Sequence, residues 1–312
     1  MNIFGTVLTY AAPSANYRGE SEENRAVIQK VTEGRFEYAI VSPEAMRNAL
    51  REILAGYGLP CNRERLDTED QLAVRFKEYP DPEKYVDDFF FGYLLALGEK
   101  ERKLAEKVRG EGYRIKRDSI LRMNLAKALE PYRHDAIFTQ SPLFVDSPWK
   151  NAEQSALLHR ETAVTAFQYP FAINLDDCRL NDEKYGQQNR DWVCALLKAI
   201  SELNGVAGNH ARSYFEMAPA SILIRVSNSL VAGYDTYGFK PDGSLPEVVE
   251  GILKGDYPGD EFYIGGKIVR EMGEKGESLK GKGGSLFRMA AQALNAVSKR
   301  KEACGKGFLP ES

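Results

Sequence analysis

The sequence predicts an α+β fold in which strands and helices alternate around a long insertion. An apolar strand at residues 2–11 is followed by a helix that begins near residue 43. An aromatic strand at 167–175 precedes a helix at 189–204, and a third strand lies at 220–227. With a hairpin counted, this order matches the β-α-β-β-α-β pattern of a ferredoxin-like (RRM-like) core that insertions have split. Such a fold does not by itself determine a function.

Local signals support the first elements. Residues 26–31 and 36–41 are apolar runs on either side of a short polar turn, which is typical of a β-hairpin. Ser42 can cap the helix that follows, and Pro43 suits its first turn. The helix is therefore predicted over residues 43–55.

The segment at 61–131 is rich in charged residues and helix formers, and it is predicted to be an insertion into the core. Helical pieces are expected at 67–79, 82–108 and 119–129. Residues 138–151 are predicted to form a loop. In the second half, the helix at 189–204 carries an apolar stripe of helical period, formed by Trp192, Val193, Leu196, Leu197, Ile200 and Leu203.

The composition excludes a protein that coats nucleic acid by bulk charge. The 312-residue chain has 42 lysines and arginines against 45 aspartates and glutamates, which gives a formal net charge of −3. Any phosphate-binding surface must therefore be local, with acidic residues elsewhere. A chain of this length can bury a sizeable core in one large or two modest domains.

The expected location is a reducing cytoplasm, without membrane contact. The N-terminus lacks the charged region, apolar run and small-residue cleavage site of a signal peptide. The best apolar stretch, at 89–97, has about half of the roughly 18 residues that a membrane helix needs. Four cysteines without paired spacing predict neither a zinc site nor a disulfide framework.

No catalytic or metal-binding constellation is apparent, so no metal ion or other cofactor is predicted. The three histidines, His134, His159 and His210, have no partners at metal or triad spacing. The acidic pairs are adjacent in sequence, and adjacent side chains point apart on a helix or strand. His210 and Arg212 lie in a polar loop at 208–214 that could contact phosphate or a partner subunit.

A glycine-rich segment near the C-terminus has the spacing of a P-loop without its chemistry. Residues 276–282 fit G-x-x-x-x-G-K, but Gly283 stands where a serine or threonine would bind magnesium. No sheet remains downstream to complete an NTPase, so a nucleotide hydrolase is rejected. Lys280 and Lys282 stay candidates for phosphate contact, because glycines expose backbone N–H groups to anions.

The best functional signal is a scattered set of basic and polar residues. Arg47 and Arg51 lie one turn apart on one face of the first helix. Arginine binds phosphate through a bidentate fork, and aromatic rings stack on unpaired bases. Two arginines on a helix also commonly form surface ion pairs, and that interpretation stays open. The other members of the set are Asn16, Tyr17, Arg18, Lys116, Arg117 and Arg122.

Several of these residues lie in motifs of one known family. The motifs are LTYAAPSANYRGE at 8–20 joined to SPEAMRNALR at 42–51, DDFFFGY at 87–93, KRDSILR at 116–122, TAFQYPFAIN at 165–174 and GNHARS at 208–213. With them in this order, the chain resembles the backbone subunit of the CRISPR surveillance complex Cascade. This is the Cas-seven or DevR family of the RAMP superfamily, and the likeness is to its type I-B branch. Residues after 230 match less clearly.

The resemblance implies a molecule shaped like a right hand. A ferredoxin-like palm is expected at 1–60 and 165–230, an inserted, mainly helical finger domain at 61–141 and a thumb hairpin at 142–169. Residues 231–312 would extend the palm. Subunits of this kind stack into a helical filament along the guide RNA (crRNA). Each thumb covers or displaces one nucleotide at a regular step, and the bases between pair with target DNA.

The resemblance also assigns residues and partners. Phe167 or Tyr169 would lie near the base of the thumb, and Glu44 departs from relatives that have a neutral or amide side chain there. The implied partners are guide RNA, target DNA through the guide, further copies of the chain and other Cascade subunits. The positions that hold the guide backbone match Arg18, Ser42, Arg47 and Arg51.

The family member expected here binds RNA and does not cut it. Some relatives cleave target RNA through an aspartate in the loop after the first strand, and here residues 12–41 contain no aspartate. The resemblance therefore implies a non-enzymatic subunit. Two alternatives stay open: a metal-dependent endoribonuclease of the same superfamily, and a regulatory protein that uses the same surface for a protein partner.

Overall fold

A computed structural model describes residues 1–14, 17–22, 25–68, 71–140, 157–206 and 216–300. Asn16, His210 and Arg212 lie outside the described residues, as do the side chains of Tyr17 and Arg18. Much of the expected thumb, at 141–156, also lies outside them.

The strands, in chain order, are β1 (Asn2–Leu8), β2 (Ala12–Ser14), β3 (Tyr17–Glu22), β4 (Arg25–Ile28), β5 (Lys30–Glu33), β6 (Phe36–Val41), β7 (Arg63–Thr68), β8 (Gln71–Phe76), β9 (Tyr93–Leu94), β10 (Lys116–Arg117), β11 (Leu121–Met123), β12 (Ala126–Ala128), β13 (Ala136–Gln140), β14 (Leu157–Glu161), β15 (Ala163–Thr165), β16 (Phe167–Asn174), β17 (Ser221–Ser227), β18 (Phe262–Gly266) and β19 (Ser285–Phe287).

The helices are α1 (Pro43–Gly56), α2 (Val86–Phe91), α3 (Glu99–Arg109), α4 (Gly186–Ser201), α5 (Pro246–Lys254), α6 (Lys267–Glu271), α7 (Glu274–Gly281) and α8 (Ala290–Lys299). In the described part of the chain, none of them has the length and apolar character needed to cross a membrane.

A nine-stranded sheet runs through the centre of the molecule in the order β19-β18-β17-β1-β16-β12-β6-β5, with β11 also paired to β16. The first strand, β1, lies between β16 and β17 and is antiparallel to both. Ile3, for example, is paired with Ile173 on one side and Val226 on the other. Strands from the beginning, middle and end of the chain therefore meet at the centre of one sheet.

Helices cover both faces of this sheet. Ile222 and Ile224 of β17 belong to a core shared with α1, α4 and α8, whereas Leu223 belongs to a second core shared with α5, α6 and α7. Successive side chains of a strand point to opposite faces, so the two cores lie on opposite sides of the sheet. Helical members of the first core include Met46, Leu50, Trp192, Leu196 and Leu294, and those of the second include Val248, Ile252, Ile268 and Leu279.

The α+β class is confirmed, and the elements with strong local signals form close to the predicted bounds. Helix α1 begins at Pro43, and the Ser42 Oγ accepts a hydrogen bond from the Ala45 N–H at 3.2 Å. Strands β16 and β17 lie within one residue of their predicted ends, and α4 starts three residues before its predicted start at 189. Capping chemistry and long apolar runs were sufficient for these elements.

The predicted helices of the insertion are largely wrong. The segment at 67–79 contributes to the β7–β8 hairpin, and 119–129 forms β11 and β12 of the central sheet. The segment at 82–108 divides into α2, β9 and α3. Leu72, Val74 and Phe76 alternate with the period of a strand, and this pattern outweighs the helix propensity of their neighbours. The insertion is therefore a mixture of hairpins and helices rather than mainly helical.

Two buried carboxylates hold the first part of this insertion together. Asp87 accepts hydrogen bonds from the backbone N–H groups of Asn62 (2.7 Å) and Arg63 (3.0 Å). Asp88 accepts from the Asn62 side chain (2.8 Å) and the Asp81 N–H (2.9 Å) through one oxygen. Its other oxygen is buried and has no hydrogen-bond partner among the described residues. The DDFFFGY motif therefore begins with structural acids.

The ionisation of Asp88 should control part of the stability. Burial raises the pKa of Asp88 to about 6, although the hydrogen bonds from Asp81 and Asn62 oppose this rise. Because the folded pKa lies above the unfolded value of about 4, the stabilisation is complete below pH 4 and is lost as the pH rises through about 6.

As the pH rises from 4 to 8, the wild type loses stability because Asp88 becomes charged, whereas asparagine stays neutral. We therefore expect the free energy of unfolding of Asp88→Asn, relative to that of the wild type, to be about 2 kcal/mol higher at pH 8 than at pH 4. Urea unfolding across this pH range measures the difference. Asp191→Asn, at an exposed position of α4, is the matched control and should show no such trend. If the free energies of unfolding of Asp88→Asn and the wild type changed in parallel with pH, the prediction would be wrong.

Candidate nucleic-acid interface

A basic cleft lies where α1, the C-terminal end of α2 and the short antiparallel pair of strands β9 and β10 meet. Its volume is about 620 Å³. The acidic side chains that line it are Glu44 and Asp118, and the basic ones are Arg47, Arg51, Arg63, Lys116 and Arg117. Five cations against two anions make this surface positive in a chain whose net charge is −3.

The fold brings together four of the predicted contact residues that are distant in sequence. Arg47 and Arg51 come from successive turns of α1. Lys116 and Arg117 form β10, which pairs antiparallel with β9 directly after α2. The cleft therefore joins the SPEAMRNALR and KRDSILR motifs with the end of DDFFFGY.

Arg47 is fixed against the end of α2. Its Nη2 donates to the carbonyl oxygen of Phe91 at 2.6 Å and to Ser119 Oγ at 3.1 Å. The guanidinium also lies 5.6 Å from the centroid of the Phe91 ring. Within the described residues, Nε and Nη1 of Arg47 make no hydrogen bond, so part of the guanidinium can still act as a donor.

Arg51 lies deeper than the sequence predicts, with only 7% of its surface exposed. Its Nε is 3.5 Å from the Asp87 carboxylate, and its Nη1 donates to Asn48 Oδ1 at 3.1 Å. Burial lowers the pKa of Arg51 to about 10, and Arg63 lowers it further against the opposing effect of Asp87. Arg51 is therefore a buried ion-pair partner in the wall of the cleft, and its contact with RNA stays a prediction.

Arg63 is a basic residue of the cleft that the sequence did not indicate. Its Nη2 donates to the carbonyl oxygen of Gly92 at 2.7 Å, and its guanidinium stacks 5.0 Å from the Phe76 ring centroid. Arg47 and Arg63 therefore bind consecutive carbonyls at the C-terminal end of α2, where a helix dipole favours cations. No local pattern around residue 63 shows that it faces Arg47 and Arg51.

Strand β10 supplies one exposed and one partly buried cation. The side chain of Lys116 is 68% exposed, and its Nζ is 3.9 Å from Asp118. Arg117 stacks 5.7 Å from the Phe89 ring centroid, and its buried Nε has no hydrogen-bond partner in the structure. Burial lowers the pKa of Arg117, and Arg179 acts in the same direction.

Gly92 allows strand β10 to approach the end of α2 closely. Its φ is +62°, and a Cβ at this position would lie 2.4 Å from the Arg117 carbonyl oxygen. Both the left-handed backbone and the lack of space require glycine here. The spacing between the α2 end and β10, and hence the width of the cleft, depends on this residue.

The electrostatics of the cleft favour an anion. Burial is the largest cause that lowers the pKa of Arg47, and Arg63 also lowers it by charge repulsion. The same two causes act on Arg51. Three neighbouring guanidinium groups are therefore less favourable together than apart, and a bound phosphate or carboxylate would offset both their repulsion and their desolvation.

The other predicted contact residues lie apart from this cleft. Ser42 caps α1, and Arg122 is exposed on β11. Lys280 is in α7 and pairs with Glu277 at 2.9 Å, and Lys282 directly follows that helix. Phe167 is 3% exposed and lies in the first core together with the fully buried Tyr169. The ring of Phe167 is thus packed inside the protein, and its contact with RNA stays a prediction.

Comparison with known proteins gives a curated relative and solved structures of similar fold. No family model matches the chain. The CRISPR-associated protein Cas7/Cst2/DevR of Myxococcus xanthus (strain DK1622) is 29% identical over 315 residues, covering 97% of this chain and 98% of the relative. The similarity therefore covers nearly the whole length of both chains.

Two solved structures share the fold. A chain of a "CRISPR RNA-guided surveillance complex, pre-nicking" has a TM-score of 0.62 at 14% identity and covers 97% of this chain and 100% of its own. A chain of a "CRISPR RNA-guided surveillance complex" has a TM-score of 0.59 at 17% identity, with coverages of 96% and 98%. The curated relative is similar over nearly the whole length of both chains, and it confirms the resemblance to Cas7/Cst2/DevR that the motifs indicate.

Proposed function

We propose that the protein is a non-catalytic backbone subunit that binds guide RNA, polymerises along it and presents it for pairing with target DNA in a type I CRISPR surveillance complex. The homology and the two structural neighbours support a backbone subunit of such a complex. The observation that carries RNA binding is the basic cleft. Five cationic side chains line it, although the chain as a whole has a net charge of −3.

The shape and chemistry of the cleft suit a sugar–phosphate backbone. Arginines that are held by carbonyl oxygens present their remaining N–H groups in a fixed geometry, which matches the bidentate recognition of phosphate. Phosphate contacts position a nucleic acid without reading its sequence. A guide-binding subunit must accept any guide sequence, and this surface meets that requirement.

The topology supports the ferredoxin-like palm in this proposal. The four strands β17, β1, β16 and β12 are neighbours in that order, and each pair is antiparallel. Helices α1 and α4 lie on the same face of these strands. This is the arrangement of a β-α-β-β-α-β core whose second strand comes after the inserted finger.

The first test is RNA binding by variants of the cleft. We expect Lys116→Ala and Arg47→Ala each to weaken binding of single-stranded RNA about equally for different sequences, and to reduce the salt slope by about one, because each removes a phosphate contact. Fluorescence anisotropy at several salt concentrations measures both. Lys299→Ala, at an exposed position of α8, is the matched control.

Two results would overturn this assignment. One is unchanged RNA binding by both cleft variants while the protein itself binds RNA. The other is a loss that depends strongly on the RNA sequence, because phosphate contacts carry no sequence information.

The second test separates the structural arginine from the binding arginine. We expect Arg51→Ala to lose about 3 kcal/mol in free energy of unfolding, because it leaves the buried Asp87 without its cation. Arg47→Ala should lose only about 1 kcal/mol, since its hydrogen bonds go to neutral oxygens. Urea unfolding measures both, and equal losses would contradict this division of roles.

The third test concerns catalysis. We expect target RNA to stay intact when it is incubated with the protein, guide RNA and magnesium, because the segment at 12–41 contains no aspartate. Gel analysis of labelled RNA measures cleavage. Cleavage that Glu20→Ala abolishes would favour the metal-dependent endoribonuclease instead.

A further inference from the structure

In the described part of the chain, helix α3 presents an exposed face that is both apolar and basic. Leu104 and Val108 are 53% and 62% exposed, although they lie one turn apart on the same side of the helix. Lys100, Lys103 and Lys107 lie beside them on the outer surface and are also exposed. The opposite side holds Ala105, which is fully buried, and Arg109, which pairs with Asp81 at 2.9 Å. The helix is therefore fixed on one side and open on the other.

A groove on the C-terminal part of the chain has the complementary character. It is formed by the start of α5 with α6 and the start of α7, and its volume is about 650 Å³. Its apolar floor consists of Leu245, Pro246, Val249, Ile268 and Met272. Its charged side chains are Asp242, Glu250, Glu271, Glu274 and Lys275, so four carboxylates face one ammonium group.

The acids of this groove are only partly neutralised by the chain itself. Glu250 and Glu271 form exposed ion pairs with Lys254 (3.3 Å) and Lys267 (3.7 Å). Such surface pairs are weak and exchange readily for another partner. In the part of the chain that the structure describes, Asp242 and Glu274 have no ion pair.

The two surfaces cannot meet within one molecule, because they belong to opposite faces of the sheet. The basic-apolar helix is joined through the 78–81 loop to α2, which packs on α1. The acidic groove belongs to α5, α6 and α7, which cover the other face. Two different surfaces on opposite sides produce head-to-tail contacts that repeat from copy to copy.

We propose that the outer face of α3 of one copy binds in the acidic groove of the next copy. Leu104 and Val108 lie on the apolar floor, and the three lysines of α3 face the carboxylates of the rim. This is the helix-in-groove mode of recognition, with charge complementarity setting its direction. The proposal deepens the proposed function and rests on it, since it names the surfaces by which copies stack along the RNA.

Two charge-reversal variants test the contact. The helix variant carries Lys100→Glu and Lys107→Glu and keeps the Glu99–Lys103 pair of α3. The groove variant carries Glu271→Lys and Glu274→Lys. All four positions are exposed, so neither variant disturbs a core. Lys184→Glu with Lys299→Glu is a control that makes the same charge change as the helix variant at exposed positions away from α3.

Each variant alone should associate with itself at least about tenfold more weakly than the wild type, because like charges meet at the contact. An equimolar mixture of the two variants should recover assembly. The acidic α3 of the helix variant fits the basic groove of the groove variant. The basic α3 of the groove variant, which is unchanged, fits the acidic groove of the helix variant, which is also unchanged. Native mass spectrometry of copies on a long RNA, and biolayer interferometry between copies without RNA, measure this recovery.

The outcomes distinguish the contact from RNA binding. Full assembly by either variant alone, or no recovery in the mixture, would overturn the contact. Binding of one copy to a short RNA should be the same for both variants and the wild type. If the wild type fails to bind short RNA, the proposed function is wrong, while the RNA-free measurement on the mixture still decides whether α3 meets the groove.

Discussion

The buried ion pair between Arg51 and Asp87 is the constraint on which the inserted segment and the cleft both depend. Asp87 begins the short helix α2 and also accepts the backbone N–H groups of Asn62 and Arg63. One carboxylate therefore joins α1, the start of β7 and the start of α2. A buried charge is tolerated only when it is paired and hydrogen-bonded, so the three segments must stay together. The inserted part of the chain is thereby held at a fixed position on the core.

The basic cleft follows from this constraint. Once α2 is fixed, its C-terminal carbonyls at Phe91 and Gly92 receive Arg47 and Arg63. Gly92 then turns the chain into β9, which pairs with β10 and adds Lys116 and Arg117 to the wall. The arginines thus have two roles, since they stabilise the end of a helix and concentrate positive charge beside it. A near-neutral chain can bind an anion in this way without an overall basic composition.

The sequence predicts what depends on neighbouring residues and misses what depends on distant ones. Ser42 and the apolar stripes of α1 and α4 are local signals, and those helices form as expected. The burial of Arg51 depends on Asp87, which comes much later in the chain. The insertion shows the same limit, because the composition at 67–79 favours helix while pairing between β7 and β8 decides the structure. Arg63 joins the cleft through that pairing, through Gly92 and through the bond from its backbone N–H to Asp87.

The central sheet also separates the basic cleft of the proposed RNA contact from the acidic groove of the proposed contact between copies. Both faces of the sheet are covered by helices, so each face offers an independent outer surface. The cleft is on the α1 side, and the acidic groove is on the side of α5, α6 and α7. The positive charge of the cleft and the negative charge of the groove are thus kept apart by the thickness of the core. In the proposed filament, this separation lets every copy offer the same cleft to the guide while its acidic side remains available to the next copy.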